Sequence, residues 1–314
     1  MSMAMHRRKF LNTAGAGLAM WSVLPELELG AAGGDSLRIG MCDWNLGKYC
    51  DPNDIPKAKE AHLNGIQVSL GINPGQMLLR QKGLRQKYLE LGKMHGISFP
   101  SVAIGMMNEV PLKSEPQASV FVIDALEAAK VLSSNNILMA FFGKGDLRVQ
   151  GSDGKYKNSS TGPFKSYELD APGVKRVVAA LKQIAPRAEA LGIALGFENT
   201  LSAAQNLEII DQVGSPRLQV YYDVGNSTEY GYDVPSEIRL LGNKRICEIH
   251  LKDWKTPMLG SAEGAVKFPP IVEACKEIAY NKWFILETSG RKGKFIEDTR
   301  ANVEFARKTF AWLG

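Results

Sequence analysis

The regular alternation of short strand-like runs with helical stretches constrains this fold more than any other feature of the sequence. Eight apolar and β-branched runs predict strands, and apolar residues spaced three to four apart indicate helices between them. Strands that alternate with helices form a parallel sheet. Eight such units over residues 35–314 match a (β/α)₈ barrel in count and length, so we predict an α/β fold with a single (β/α)₈ TIM barrel. The predicted strands are 37–43, 65–70, 97–104, 136–142, 193–198, 218–223, 245–251 and 283–288.

The first 34 residues follow a different pattern. Arg7 and Arg8 precede an apolar, small-residue stretch over residues 11–24. A charged start before a short apolar run predicts a cleaved signal peptide and not a membrane span. The paired arginines resemble the twin-arginine export signal of bacteria. We therefore predict a signal peptide of this type at 1–34, the barrel at 35–314 and a periplasmic location, with an amphipathic N-terminal helix as the alternative.

The composition excludes several classes of function. The net charge of +5 is spread along the chain without a long basic run, so we expect no nucleic-acid partner. Beyond the first 34 residues no apolar run is long enough to cross a bilayer, and we expect no stable membrane span. The four cysteines lack the C-x-x-C spacing of zinc ribbons and redox motifs. We interpret them as buried small apolar side chains, with a Cys42–Cys50 disulfide as the alternative.

One connection, residues 143–170, is unusually long, polar and rich in Gly and Ser. It follows the fourth predicted strand, and the loops after the strands of such a barrel form its active-site face. A loop of this length in a compact domain is usually functional or disordered. We interpret it as a flap over the pocket, with a surface insertion as the alternative.

Side chains with metal-binding chemistry end four consecutive predicted strands. Predicted strands five to eight are apolar, and each has one such residue at its C-terminal end: in order, Glu198, Asp223, His250 and Glu287. In a barrel these strand ends meet at one mouth, where three carboxylates crowd together only if a cation neutralises them. An oxygen-rich set with one nitrogen suits Mn²⁺, Mg²⁺, Co²⁺ or Zn²⁺. The sequence therefore predicts one divalent metal ion of this group, held by these four residues.

The segments around these residues resemble the sugar phosphate isomerase/epimerase members of the xylose isomerase-like TIM barrels. The similarity covers residues 37–312 and includes a turn like that group's Gly-Glu-Gly-x-Val-x-Phe motif before the last unit. It implies that all four residues bind the metal. It also implies that Glu198 and Glu287 exchange protons with the substrate. The matching segments are 196–199, 222–226, 249–253, 263–269 and 286–287.

Three departures separate the sequence from the D-tagatose 3-epimerase-like subgroup. Asn226 stands where that subgroup has His, Ala204 where it has Glu, and Thr256 where it has Arg. These side chains hold the ketose in that subgroup, so the substrate stays open. The endonuclease IV-like members need several histidines for a trinuclear cluster, and of the four histidines here only His250 ends a strand.

Several further residues are predicted to reach the pocket. Lys252 shares the inward face of its strand with the ligand imidazole and is a candidate proton donor, with a structural ion pair as the alternative. Trp44 ends strand one and is predicted to stack on a sugar ring, with packing at the rim as the alternative. Asn226 and Lys144, after strands six and four, are predicted substrate ligands. Gln67 ends strand two and is a weaker candidate.

These features predict an enzyme. The leading hypothesis is a metal-dependent sugar isomerase or epimerase that removes a proton next to a carbonyl through an enediolate, with Glu198, Glu287 and Lys252 as catalytic residues. The first alternative is a 3-keto-glycoside lyase or hydratase that cleaves by β-elimination after the same proton abstraction. The second is a non-catalytic sugar-binding barrel. The expected partner is a small carbohydrate, and the resemblance is compatible with a homo-oligomer.

Overall fold

The computed structural model describes residues 37–159 and 165–313, and within them the chain forms a closed barrel of eight parallel strands. Each strand pairs with the next one along the chain, and the last pairs with the first. The predicted single (β/α)₈ TIM barrel is therefore confirmed. The strands are β1 (Ile39–Cys42), β2 (Gly65–Ser69), β3 (Ser101–Ile104), β4 (Asn136–Phe141), β5 (Ala194–Asn199), β6 (Leu218–Asp223), β7 (Ile246–Leu251) and β8 (Phe284–Leu286).

Helical segments connect the strands. Within the described ranges, none of these helices combines the length and apolarity that crossing a membrane requires. Short 3-10 turns lie at Pro52–Asp54, Leu78–Arg80, Gly105–Asn108, Gly143–Gly145 and Ala311–Leu313. The α-helices are α1 (Asp43–Leu46), α2 (Ile55–Glu60), α3 (Lys82–His95), α4 (Ala118–Leu132), α5 (Ala171–Leu191), α6 (Ala203–Val213), α7 (Val224–Glu229), α8 (Val234–Arg245), α9 (Phe268–Glu277) and α10 (Phe295–Thr309).

Local sequence signals explain where several helices begin and end. Ser202 and Gln205 form a capping box at the start of α6, in which each side chain accepts a hydrogen bond from the other's backbone N–H. Asp170 and Asp233 are the N-cap residues of α5 and α8. Each side chain accepts a hydrogen bond from the backbone N–H of the residue three positions later. Gly192 ends α5 with a φ of +72°, a left-handed conformation that glycine adopts without strain, and β5 follows.

The observed strands differ from the predicted ranges at their ends. β3 starts at Ser101 and not at residue 97, since Pro100 has no N–H to donate to a strand ladder. β8 ends at Leu286, so Glu287 lies one residue beyond the strand. The pairing of Val220 with Ile246 and of Tyr221 with Glu248 leaves one extra residue in β7, a bulge of the kind often found beside active sites.

Two apolar layers hold the barrel together. The larger one joins strand residues such as Ile137 and Leu195 to helix residues such as Leu126 and Leu181. Full burial of each such side chain stabilises the fold by about 1.5–3 kcal/mol. The smaller layer lies inside the barrel and includes several small side chains, among them Ala140. Because these interior side chains are small, they leave space for a cavity at the barrel mouth.

All four cysteines are buried and unpaired, which confirms their interpretation as small apolar residues. The alternative Cys42–Cys50 disulfide is not formed. The predicted signal peptide at 1–34 lies outside the described residues, so it stays a prediction.

Candidate metal centre

Four side chains meet inside the mouth of the barrel, at the C-terminal ends of its strands. Glu198 and His250 lie one residue before the ends of β5 and β7, and Asp223 is the last residue of β6. Glu287 directly follows β8. One candidate ligand atom from each residue lies within 4.8 Å of those of the other three. The structure therefore brings together the four residues that the sequence predicts as metal ligands.

His250 lies at the centre of this cluster and is fully buried. Its Nδ1 atom is 3.1 Å from Oε1 of Glu198. The same atom is 3.5 Å from Oδ2 of Asp223 and 3.5 Å from Oε2 of Glu287. One imidazole nitrogen surrounded by three carboxylate oxygens is a donor set that suits first-row divalent ions and Mg²⁺.

Lys252 places a positive charge between two of the carboxylates. Its Nζ atom lies 2.6 Å from Oε2 of Glu287 and 3.0 Å from Oδ2 of Asp223. Burial disfavours the charged amine, but the two carboxylates outweigh it and hold the pKa of Lys252 above its usual range. A Cβ atom on the neighbouring Gly225 would lie 2.5 Å from Cγ of Lys252, so glycine is required for this close approach.

The buried carboxylates experience different environments. Burial raises the pKa of Glu198, although the nearby His250 opposes it. Burial also acts on Asp223, but the charge of Lys252, the nearby imidazole of His250 and the hydrogen bond from the backbone N–H of Asn226 lower its pKa well below the ordinary value. Neighbouring carboxylates with opposed proton affinities are typical of acid–base centres.

One oxygen of Asp223 supports the assignment of a cation site. Oδ1 accepts a hydrogen bond from the backbone N–H of Asn226 at 2.7 Å and so caps α7. Oδ2 is buried and has no hydrogen bond, because its 3.0 Å ion pair with Lys252 lacks hydrogen-bond geometry. Buried carboxylate oxygens are normally satisfied. This free oxygen and its three neighbouring donors therefore fit a divalent ion.

A cavity of about 540 Å³ adjoins the cluster. Glu198, Glu287 and Lys252 reach it, as do the predicted substrate ligands Trp44 and Asn226. The Trp44 indole Nε1 donates to Oε1 of Glu287 at 3.2 Å, which orients that carboxylate. The rest of the wall contains several apolar side chains, among them Ile72, Met106, Leu138 and Phe142.

The structure places Lys144 outside this cavity. Its side chain is exposed and forms an ion pair with Glu109 at 2.9 Å. Glu109 lines the cavity, whereas Lys144 does not. None of the described residues of the 143–170 connection lines the cavity either, but Arg148 of this connection contacts Tyr230, which does line it.

Two buried polar residues beneath the metal centre were not predicted. Tyr221 and Glu248 lie two residues before Asp223 and His250 and share their inward faces on β6 and β7. The period-two alternation of strand side chains was the available signal, because it points these residues into the barrel. Gln67 has a larger role than expected, since its Oε1 atom lies 3.0 Å from Nε2 of His250.

Comparison with known proteins places this architecture in a family. Residues 55–312 match the family described as xylose isomerase-like TIM barrel. The chain belongs to this family. Its membership agrees with the resemblance seen in the sequence motifs and with the eight-stranded closed barrel.

Two curated members of similar sequence are sugar epimerases by name. The 2-epi-5-epi-valiolone 7-phosphate 2-epimerase of an Actinoplanes species is 26% identical over 278 residues, which cover 86% of this chain and 94% of that protein. A protein of Escherichia coli, provisionally assigned as an L-ribulose-5-phosphate 3-epimerase, is 29% identical over 212 residues, or 63% of this chain and 69% of that protein. These relatives confirm the expectation of an enzyme of the isomerase and epimerase kind.

A solved structure supports the fold at lower sequence identity. The D-psicose 3-epimerase of Clostridium cellulolyticum H10, determined with D-tagatose, superposes with a TM-score of 0.70 at 16% identity. The superposition covers 87% of this chain and 99% of that chain. The whole barrel of this xylose isomerase-like protein is thus shared with a sugar epimerase.

Proposed function

We propose that this protein is a metal-dependent sugar isomerase or epimerase that removes a proton from the carbon next to a sugar carbonyl. The observation that carries the proposal is the placement of Glu198 and Glu287. Both line the cavity, both lie beside the candidate metal ligand His250, and they come from strands separated by two others. Two carboxylates placed in this way can remove and return a proton at different positions of one bound sugar.

The surrounding residues prepare these carboxylates for proton transfer. Glu198, Asp223, His250 and Glu287 would hold a divalent ion, which would supply Lewis-acid stabilisation of negative charge on the bound sugar. Trp44 and Lys252 hold the two oxygens of Glu287 by contacts of 3.2 Å and 2.6 Å. Glu198 is buried with a pKa raised by that burial, which suits a group that accepts a proton from the substrate. Lys252, the third predicted catalytic residue, is within reach of the cavity to protonate a sugar oxygen.

We infer that the substrate is a sugar without a phosphate group. Among the described residues that line the cavity, Lys252 is the single cationic side chain, and two carboxylates already neutralise it. The same wall carries Glu109, Glu198 and Glu287. Phosphate recognition normally uses arginine, lysine or a helix N-terminus facing the ligand. The curated relatives are named for phosphorylated substrates, so this chain would differ from them in the part of the pocket remote from the metal.

An apolar wall favours a second candidate, the 3-keto-glycoside lyase or hydratase. Ile72, Met106 and Phe142 line the cavity, and the side chain of Ile72 is about half exposed. This surface could accept the leaving group of a glycoside. The first step, proton abstraction next to a carbonyl, is the same in both candidates, and they differ in whether a glycosidic bond then breaks.

Incubation in D₂O tests both candidates. We would load the purified protein with zinc or manganese, add a free ketose, the same ketose carrying a terminal phosphate, or a 3-keto-glycoside, and follow each by NMR. Deuterium incorporation beside the carbonyl of the free ketose is the expected result, with release of the aglycone identifying the lyase. Exchange restricted to the phosphorylated ketose would contradict the phosphate-free substrate. Absence of exchange with every sugar would contradict the proton-transfer mechanism itself.

The proposed location is the periplasm, with residues 1–34 removed from the mature barrel at 35–314. The proposal rests on Arg7 and Arg8 ahead of the apolar stretch. Replacement of both arginines by lysine should leave the precursor in the cytoplasm, as judged by cell fractionation. Unchanged delivery to the periplasm would exclude the twin-arginine route.

A further inference from the structure

We propose that a buried hydrogen-bond relay, from Glu248 through Tyr221 and Ser101 to Gln67, determines which nitrogen of His250 is free to bind the metal. The inference rests on the metal centre of the proposed function. It assigns positioning roles to four residues that neither line the cavity nor belong to the ligand set. All four are at most 1% exposed, so their contacts exclude solvent.

The relay begins below the metal centre, at Glu248. Oε2 of this carboxylate accepts a hydrogen bond from the hydroxyl of Tyr221 at 2.6 Å and another from Ser101 at 2.7 Å. Oε1 accepts from the amide nitrogen of Asn136 at 2.9 Å. A carboxylate this deeply buried is costly unless it is hydrogen-bonded, and these three donors satisfy it.

The middle of the relay is Gln67. Its Nε2 atom donates to the hydroxyl oxygen of Tyr221 at 2.7 Å and to that of Ser101 at 3.0 Å. Its Oε1 atom faces Nε2 of His250 at 3.0 Å. The carboxamide thus joins both hydroxyls on one side to the imidazole on the other.

The direction of these hydrogen bonds follows from the number of protons available. The protons of both hydroxyls go to Oε2 of Glu248, so each hydroxyl has only lone pairs left for Gln67. Only the NH₂ group of a carboxamide can donate to two lone pairs, which turns Oε1 of Gln67 toward His250. A proton on Oε1 of Glu248 would leave this direction unchanged, because the relay uses Oε2 alone.

The consequence for His250 concerns its tautomer. An acceptor at 3.0 Å from Nε2 requires that Nε2 carry a hydrogen. The lone pair of a neutral ring is then on Nδ1, the atom that faces Glu198, Asp223 and Glu287. Hydrogen bonds to the far nitrogen of a ligand histidine generally orient the ring and raise its basicity. Here that influence extends to a carboxylate two residues away on the same strand.

Because Tyr221 and Ser101 act in parallel, the relay predicts a non-additive mutational pattern. Tyr221→Phe or Ser101→Ala alone leaves one hydroxyl that still orients Gln67, so zinc affinity should fall by less than about threefold. The double variant removes both links and lets the carboxamide rotate, so zinc affinity should fall by about tenfold or more, the range seen when the outer partners of metal ligands are removed. Tyr222→Phe is the matched control, since that buried hydroxyl donates to Glu237 and not to the relay.

The experiment is a zinc titration against a chromophoric chelator with the purified mature protein and these four variants. In parallel, ¹⁵N-histidine NMR of the zinc-loaded wild type should show the proton of His250 on Nε2 and zinc at Nδ1. In the double variant that Nε2 proton should exchange faster with solvent. Far-ultraviolet circular dichroism would confirm that each variant is folded. If the double variant does not fold, the NMR measurement on the wild type still tests the relay, because zinc at Nε2 would contradict it.

The outcomes distinguish failure of the hydrogen-bond relay from failure of the metal centre itself. Zinc affinity of the double variant within about threefold of Tyr222→Phe would overturn the relay, as would zinc bound at Nε2 in the wild type. Equal losses in a single and the double variant would overturn the parallel arrangement and with it the relay. If the wild type itself binds no zinc, manganese or cobalt, the metal centre of the proposed function is wrong. If the wild type binds metal but the double variant binds it equally well, only the relay is wrong.

Discussion

Glu198 and Asp223 are buried carboxylates of the same cluster, and their neighbours shift their proton affinities in opposite directions. Burial dominates at Glu198 and raises its pKa, whereas Lys252 and the hydrogen bonds around Asp223 lower its pKa. Asp223 also caps α7 through its second oxygen. These contacts suit Asp223 to hold the ion and Glu198 to carry protons.

This division of roles predicts different effects of amide substitutions. Glu198→Gln and Glu287→Gln keep one oxygen donor but remove the proton carrier, so we expect substantial metal content and at least about a hundredfold lower turnover. Asp223→Asn should lower metal affinity instead, and added metal should restore part of the activity. Metal content and kcat measured on the same preparations would check this. Full activity of both Gln variants at saturating metal would show that neither glutamate is the base, and Lys252 would be the next residue to test.

Glu237 provides a pH-sensitive contact away from the metal centre. Its two oxygens accept hydrogen bonds from the backbone N–H of Ala203 and from the hydroxyl of Tyr222, both at 2.8 Å. Burial outweighs these hydrogen bonds and raises the pKa of Glu237 to about 7. Between about pH 4.5 and this value the folded protein binds more protons at Glu237 than the unfolded chain does, so a rise in pH lowers stability through this group.

As pH rises from about 4.5 to about 7, the wild type should lose stability through Glu237, whereas the variant Glu237→Gln has no such group to titrate. We therefore expect the unfolding free energy of the variant to increase relative to that of the wild type over this range. The change should be at most about 3 kcal/mol, since each tenfold difference in proton affinity corresponds to about 1.4 kcal/mol. Urea unfolding with a chelator present would measure it. Glu277→Gln is the control, because Arg239 lowers the pKa of that exposed carboxyl and its effect should be small and opposite in sign. A pH-independent difference for Glu237→Gln would contradict the raised pKa.

At the scale of elements, a buried arginine lies at the centre of the contacts within the connection after β4. Arg148 forms an ion pair with Asp146 at 2.7 Å, and both side chains are almost completely buried. Its guanidinium lies 3.6 Å from the ring centroid of Tyr156 and 4.9 Å from that of Tyr230. Tyr230 follows α7 and lines the cavity, so Arg148 links the connection to the site.

Arg148→Ala should destabilise the protein by about 3 kcal/mol or more, because it leaves Asp146 buried without its partner. The matched control is Arg187→Ala, which breaks a half-exposed ion pair with Glu127 and should cost less than about 1 kcal/mol. Chemical denaturation of both variants gives the comparison. If the flap interpretation is right, Arg148→Ala should also lower kcat while metal content stays unchanged. A normal kcat in a destabilised variant would indicate that the connection has a structural role alone.

At the scale of the whole molecule, the metal centre joins strands that are distant in sequence. β5, β6, β7 and the residue directly after β8 each contribute one candidate ligand, and β8 closes the barrel against β1. Among the described residues, Lys252 lies beside two of these three carboxylates and His250 beside all three. A ligand that binds the folded state alone stabilises it by mass action, so metal binding should stabilise the closed barrel as a whole.

We expect about one divalent ion per chain by elemental analysis of the mature protein. Zinc at one hundred times its dissociation constant should raise the unfolding free energy by about 2.7 kcal/mol. His250→Ala should lose most of the metal and most of this stabilisation, because it removes the only nitrogen ligand of the cluster. Thr288→Ala, beside Glu287 in sequence but outside the ligand set, is the control. Equal stabilisation of His250→Ala by zinc would mean that the ion binds elsewhere.

The sequence by itself determined the barrel and the four residues that form its candidate ligand set. The spacing of apolar residues alternates between that of strands and that of helices and so predicts eight βα units. This prediction works because the spacing reflects local backbone geometry, which does not depend on distant contacts. Residues at consecutive strand ends must then meet, since all strands of a parallel barrel end at one mouth. Glu198, Asp223, His250 and Glu287 could therefore be named from their positions alone, and so could Lys252 and Trp44, which also reach the cavity.

Other features depended on packing between elements and were decided only by the tertiary structure. Lys144 follows β4 as predicted, yet it turns outward to Glu109 because a flexible side chain on a turn is directed by its spatial neighbours. The extra residue in β7 depends on how this strand pairs with β6. The hydrogen bonds of Gln67 with Ser101 and Tyr221 join residues that are 34 and 154 positions apart in the sequence. Strand periodicity points these side chains inward but does not specify their partners, since partners across a barrel depend on register and strand stagger. The candidate ligands could therefore be predicted from the sequence, whereas the hydrogen bonds around them depend on contacts between strands that only the tertiary structure shows.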